Sequence, residues 1–323
     1  AGLRAVALDG RGAVRGPERS VAPDDVPPGA GADPAAQIVE VAAGAGGGRL
    51  GVAWVLRHGT GALQALAARA DAAATTFGPP VDLGASEGGS ASRRGRVAVA
   101  VSDAGDVDVL FRTTDGPCGD DVRGETCARF RHWQPGGERR GIPLVVPGVC
   151  SPPIAGSLFH GGRWYFGLCA AGEDGRPTTT LYGLQFEPEY AHAEPLLAGC
   201  RPQGVAPAPG GVLLAGRCDE GTRAVHVTEA GRQRAELGTV QRRAVCRGGH
   251  PVLVIEGEGG GAELPLSGAL DGLSPWLPKG AAPAGARAAW TGEALLVAAP
   301  LGGEVAVRRF ECDGERLIRT DVL

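Results

Sequence analysis

Glycine punctuates the chain at regular intervals, and each time an apolar run follows. Gly47-Gly48-Arg49 precedes LGVAWVL, Arg94-Gly95-Arg96 precedes VAVAV, and Gly161-Gly162-Arg163 precedes WYFGL. The figure returns as Gly210-Gly211 before VLLAG, Gly248-Gly249-His250 before PVLVI, and Thr291-Gly292-Glu293 before ALLVAA. From Gly48 to Gly292 the five intervals average about 49 residues, a repeat length at which one supersecondary unit is copied along a chain. The longest interval, Gly95 to Gly162, carries a polar insertion between Cys118 and Cys127.

Each repeat has the same internal order: a first strand, the glycine turn, a buried apolar second strand, a loop, an alternating third strand, a turn and a fourth strand. Short glycine turns between apolar runs are hairpin signals, because glycine reaches positive φ without a steric penalty. In the first repeat the second strand is expected over 50–56, the third near 63–69 and the fourth near 80–83. The second strands read as unbroken apolar runs, as strands covered on both faces do. The pattern predicts an all-β chain: a β-propeller of six four-stranded blades over residues 37–323. The segment VALDGRGAVR, Val6 to Arg15, aligns with FECDGERLIR, Phe310 to Arg319, so residues 1–22 are expected to form half a blade. Six or seven blades fit equally well. Residues 23–36, dense in Asp, Pro and Gly, read as a connector, and the whole of 1–323 reads as one domain.

Composition narrows the setting. The 55 Gly and 25 Pro imply frequent turns. A single lysine, Lys279, stands against many arginines, with no Met and no Asn, a skew expected of a GC-rich bacterial genome. The net charge of −4 and scattered arginines give no footprint for nucleic acid. No apolar run approaches the roughly 20 residues that span a bilayer as a helix. The absence of Met at position 1 predicts that a leader or more precedes Ala1, which favours an extracytoplasmic chain: secreted, periplasmic or anchored through that missing segment.

Eight cysteines point the same way. Cys150 and Cys169 lie 19 residues apart and Cys200 and Cys218 lie 18 apart, a repeated spacing unlike the paired knuckles of zinc sites. In an antiparallel hairpin the start of the first strand lies opposite the end of the second, and both pairs occupy those places. Cys118 with Cys127 would close the polar insertion, leaving Cys246 with Cys312 to tie the last two repeats. All eight are expected to be oxidised.

Residues Arg69 to Phe77, followed by GPPVDLG, resemble the Asp-box, the turn between third and fourth strands in sialidase-like propellers. Asp71, Thr76 and Phe77 match the motif, the motif's Gly is replaced, and one residue is added. Thr114-Asp115-Gly116, interrupted by the cysteine loop before Trp133, is a second echo. The resemblance covers about two repeats and implies the propeller fold; Asp-boxes sit away from that family's catalytic face. Its chemistry would require clustered arginines gripping a carboxylate, a Tyr nucleophile helped by Glu, and an Asp acid/base. Of the three tyrosines, Tyr165 lies in an apolar run and reads as core, Tyr182 is the second, and Tyr190 lies near Glu187 and Glu189 in what reads as a polar turn. His58, His132, His160, His192, His226 and His250 show no metal-ligand spacing.

One constellation reads as a candidate site. The loops between second and third strands carry Asp103, Asp106, Glu173, Asp174, Asp219, Glu220, Glu258, Glu263 and Glu304, and propeller topology would gather them on one rim. Acids and glycines also simply make solvated turns. As a site, the rim would attract a structural Ca2+ or a basic partner; no other cofactor is expected. The function expected is a non-catalytic binding or scaffold module with a protein or carbohydrate ligand. The alternative is a sialidase-like carbohydrate-active hydrolase.

Overall fold

The computed structural model describes residues 4–5, 19–21, 35–71, 77–86, 96–113, 128–134, 144–146, 154–172, 174–186, 189–208, 210–228, 234–257, 260–265, 287–290, 294–301 and 304–322. Among them every regular element is a strand. The chain divides into two compact units, one of Ala1–Ala5, Arg19–Pro202 and Gly216–Asp219, the other of Val6–Glu18, Gln203–Ala215 and Glu220–Leu323.

The first unit opens with a short antiparallel pair, β1 (Arg4–Ala5) and β2 (Arg19–Ser20). Three four-stranded sheets follow, each an antiparallel meander in chain order. The first sheet is β3 (Gln37–Gly46), β4 (Arg49–Arg57), β5 (Leu63–Asp71) and β6 (Val81–Ser86). The second is β7 (Val97–Val101), β8 (Val107–Arg112), β9 (Ala128–Trp133) and β10 (Leu144–Val146). The third is β11 (Ile154–His160), β12 (Arg163–Ala171), β13 (Pro177–Phe186) and β14 (Glu189–Ala198).

These sheets pack face to face in series. Alternate residues of β4 and β5, among them Ala53, Val55, Ala65 and Ala67, meet Val99, Val109 and Phe111 of the second sheet. The opposite face of the second sheet, through Ala98, Ala100 and Leu110, meets Phe166, Leu168 and Leu184 of the third. Trp54 and Leu66, on the outer face of the first sheet, are covered by Val21 with Ala5 beside it. Both faces of β7 and β8 are therefore sealed, and every residue of these two strands is buried. Full burial of one such Leu or Phe contributes about 1.5–3 kcal/mol. The first strands lie side by side: Glu40 of β3 reaches the start of β7, and Ser157 Oγ of β11 donates to the Val99 carbonyl at 2.7 Å.

A six-stranded sheet runs β15 (Arg201–Ala208), β16 (Gly211–Cys218), β17 (Gly221–Thr228), β18 (Arg234–Arg247), β19 (His250–Gly257) and β20 (Gly260–Pro265). Its length comes from β18. Arg234–Thr239 pair with β17, and Val240–Arg247 pair with β19, so one strand ends the fourth meander and begins the fifth. In the second unit a further meander is β21 (Arg287–Trp290), β22 (Leu295–Leu301), β23 (Glu304–Asp313) and β24 (Arg316–Val322).

One strand assignment needs correction. The run Val97–Val101 is the first strand of its sheet, not the second; the hairpin that follows it turns through Ser102–Asp106. Thr114-Asp115-Gly116, expected in a turn between third and fourth strands, lies outside the described residues, in sequence between the end of β8 and the start of β9. The first echo does fall between β5 and β6, where Gly78 N donates to the Arg69 carbonyl at 2.9 Å and Phe77 packs beside the Trp54 cluster; residues 72–76 lie outside the described residues.

The cysteine reading holds where it can be followed. Cys200, just before β15, is bonded to Cys218, the last residue of β16, and Cys246 of β18 is bonded to Cys312 of β23. Cys169 is disulfide-bonded, and no described cysteine is free. Cys150, Cys118 and Cys127 lie outside the described residues, as do the connector 23–34 and the segment 6–18.

Candidate functional site

Two pairs of buried charged side chains, Glu40 with Arg96 and Asp108 with His132, lie in the first unit. One lies where β3 and β7 begin. A bulge between Ile38 and Glu40 brings the Glu40 carboxylate to the next sheet. Its Oε1 accepts from Arg96 N at 2.8 Å and Val97 N at 3.3 Å, while Oε2 faces Arg96 Nη1 at 3.7 Å. Arg112, at the end of β8, is tied to the same corner through its N–H to the Arg96 carbonyl, 2.7 Å. Arg96 and Arg112 are each 2% exposed. Burial lowers the Arg96 pKa first; Glu40 opposes that shift, and the charges of Arg112 and Arg57 add to it. The guanidinium stays protonated regardless.

Arg96 thus faces one carboxylate, and the charges of Arg112 and Arg57 act on Arg96 from nearby. Here the carboxylate is the chain's own Glu40, and two of the arginines are sealed. A substrate acid could reach Arg96 only by displacing Glu40, whose loss would leave this buried cation and the Arg96 and Val97 amides without it.

The second place lies between the second and third sheets. Asp108 is the second residue of β8, flanked by Val107 and Val109, on the face shared with Ala98, Ala100 and Leu110. His132 Nδ1 donates to Asp108 Oδ2 at 2.8 Å, with both side chains 0% exposed. The His132 ring meets Phe166 edge-on at 5.5 Å and lies tilted on Tyr182 at 5.7 Å. Burial pushes the Tyr182 phenol well above its ordinary pKa, and the Asp108 charge pushes further. This cluster has the acid, base and phenol of a hydrolytic site. All three are buried, with Asp108 at 0%, His132 at 1% and Tyr182 at 2% exposure.

The acidic residues expected on one rim are not all of one kind. Asp103 and Asp106 sit in the turn between first and second strands, at the opposite end of their sheet from the loop predicted for them, because the Val97–Val101 run was placed one strand too late. There Asp106 serves its own turn: Asp106 N donates to Ser102 Oγ at 2.9 Å, and Ser102 Oγ donates back to Asp106 Oδ2 at 3.1 Å. Asp174 lies in the β12–β13 turn as expected and accepts from Arg176 N at 3.0 Å. Asp219 and Glu220 form the β16–β17 turn, and Glu304 opens β23. Glu263 falls within β20, paired with Val254, and so is not a loop residue. Glu173 and Glu258 lie outside the described residues.

Tyr165 is buried in β12, as its apolar run implied, and Tyr182 is buried too. Tyr190 lies on β14, a strand where a turn was expected; Glu187 is outside the described residues. Among the described residues no three His, Cys, Asp or Glu side chains converge as metal ligands, and no helix is long and apolar enough to cross a membrane. Sequence reasoning missed Asp108–His132 and Glu40–Arg96. A signal existed in each case: an Asp inside VDVLF, and a Glu inside IVEVA.

No family model matches the chain, and no curated protein matches it. Solved structures resemble it at low identity. The sialidase of Trypanosoma rangeli matches with 9% identity and a TM-score of 0.43 over 98% of this chain and 56% of that one. A Hadza microbial sialidase matches with 12% identity and a TM-score of 0.41, covering 86% of this chain and 63% of that one. The β-propeller domain of the trilobed protease from Pyrococcus furiosus gives 7% identity and a TM-score of 0.46, covering 90% of this chain and 85% of that one. The chain spans a little over half the length of the first sialidase.

Proposed function

We propose that the chain is an exported β-propeller in which the meanders are blades, and that it acts as a binding or scaffold module for a protein or carbohydrate ligand. The observation that carries this reading is the fate of its reactive side chains. The Asp108 and His132 side chains are 0% exposed, and Arg96, which faces Glu40, and Arg112 are each 2% exposed, so the groups suited to catalysis are engaged within the fold. The second sheet is buried on both faces, and ligand contact falls to the turns at the sheet ends, which tolerate sequence change. The disulfides are compatible with an oxidising compartment.

The buried Arg96–Glu40 pair favours one other reading, a sialidase-like hydrolase in which Glu40 yields its place to a substrate carboxylate. Purified chain assayed with fluorogenic sialosides and displayed against a glycan and peptide array separates the two. The binding reading expects no turnover and a saturable ligand whose affinity falls when Asp219 and Glu220 are changed to Ser. Turnover proportional to protein concentration would establish the hydrolase instead.

A further inference from the structure

Two sealed oxygen atoms face the seam between the second and third sheets. Asp108 Oδ2 is taken by His132, but Asp108 Oδ1 has no hydrogen-bond partner among the described residues, and neither has Tyr182 Oη. Their chemistries are complementary, since an ionised carboxylate oxygen only accepts and a phenol donates. They are near enough for the Asp108 charge to act on Tyr182, yet they share no direct bond. Thr180 Oγ1, two residues along the same face of β13, is sealed in the same way. Buried polar groups left unsatisfied are rare and costly.

The β7 residues on this face are small. Asp108 lies directly across from Ala100, and Ala98 is the next residue of β7 on that face. Both are small, whereas the opposite face of the second sheet carries Val99, Val109 and Phe111. A buried water needs a polar pocket and about 2–4 partners.

We propose that this seam binds an internal water held between Asp108 Oδ1 and Tyr182 Oη, joining β8 to β13 across two sheets. The water donates to the carboxylate and accepts from the phenol, with Thr180 Oγ1 as its third partner. A metal cation is disfavoured by chemistry: His132 Nδ1 already occupies one carboxylate oxygen, and a protonated phenol is a poor ligand. Asp108 and Tyr182 become positioning groups that fix the register of one sheet against the next.

The test is a crystal structure of the full chain at about 1.5 Å, with a double-mutant cycle of Asp108→Asn and Tyr182→Phe followed by thermal melting. The expected result is a solvent atom at about 2.7–3.0 Å from both oxygens. Tyr182→Phe should lower Tm by a few degrees, and the two substitutions should be non-additive although the side chains do not touch. If Asp108→Asn does not fold, the near-isosteric Tyr182→Phe carries the test, because its crystal structure should show the water displaced or lost. A dry seam, a direct bond between Oδ1 and Oη, a metal ion in the density, or additive melting shifts would each overturn the proposal.

Discussion

The two described disulfides close loops of very different length, and that difference predicts an order of stability. Cys246 and Cys312 are separated by 66 residues, and Cys200 and Cys218 by 18. On the chain-entropy account the first restrains the unfolded chain by about 4.4 kcal/mol and the second by about 3.2 kcal/mol. Local structure widens the gap. Cys200 and Cys218 join the ends of neighbouring strands β15 and β16, which backbone hydrogen bonds already hold together. Cys246 and Cys312 join two different sheets, supported there by the Cys246 N–H to the Glu315 carbonyl at 3.0 Å and an exposed Arg247–Glu315 pair. Each bridge lies within one compact unit, the longer in the smaller unit, where a given free energy moves the melting point further. With each pair replaced by Ala, differential scanning calorimetry should show a fall on the order of 15 °C for the unit that loses Cys246–Cys312. For the unit that loses Cys200–Cys218 the fall should be on the order of 8 °C. Equal shifts, or a larger one for the shorter loop, would refute the reasoning.

Three further outcomes follow. His132→Leu, which strands the buried Asp108 carboxylate, should cost about 3–5 kcal/mol in denaturant unfolding, whereas Asp108→Leu with His132→Leu should recover most of that loss. Gly47→Ala should destabilise more than Gly48→Ala: both have positive φ, but a Cβ at Gly47 runs into the backbone of Gly105, while at Gly48 it meets nothing. Melting curves should place the Gly48 change near about 1 kcal/mol of backbone strain and the Gly47 change well beyond it. Finally, Tyr182 is pushed above its ordinary pKa in the fold. The folded state therefore holds a proton that the unfolded chain releases from about pH 10 upward. Stability should fall as pH rises beyond that point, and Tyr182→Phe should flatten the fall in urea titrations run between about pH 9 and pH 11.

Much of this architecture is legible in the sequence because the glycine turns are local signals. Gly47-Gly48, Gly161-Gly162 and Gly248-Gly249 each fall between a first and a second strand, where the apolar runs place them. The second sheet was misread because Arg94-Gly95-Arg96 imitates that turn, while the true hairpin carries Ser102 and Asp106, which bond to each other, with Gly105 between them. The error moved two acids to the wrong end of a sheet. What the sequence hides is contact between distant residues. Asp108 and His132 are 24 positions apart across the cysteine insertion, and Glu40 and Arg96 are 56 apart. No periodicity announces such pairs, since Asp108–His132 depends on the register of β9 against β8 and Glu40–Arg96 on how one sheet lands on the next. An isolated charge inside an apolar strand is the one local hint, for a buried charge must find a partner.

Strand β18 hands its hydrogen bonds from one neighbour to the next between Thr239, opposite Arg223, and Val240, opposite Gly257. The strand stays extended from Arg234 to Arg247 through that splice. A tether pulled at either end would load both ladders in shear through one uninterrupted ribbon of peptide, so the two meanders should yield to force as a single mechanical element. An engineer seeking a permissive insertion point in this stretch is left with Gly248-Gly249, the first turn beyond the ribbon.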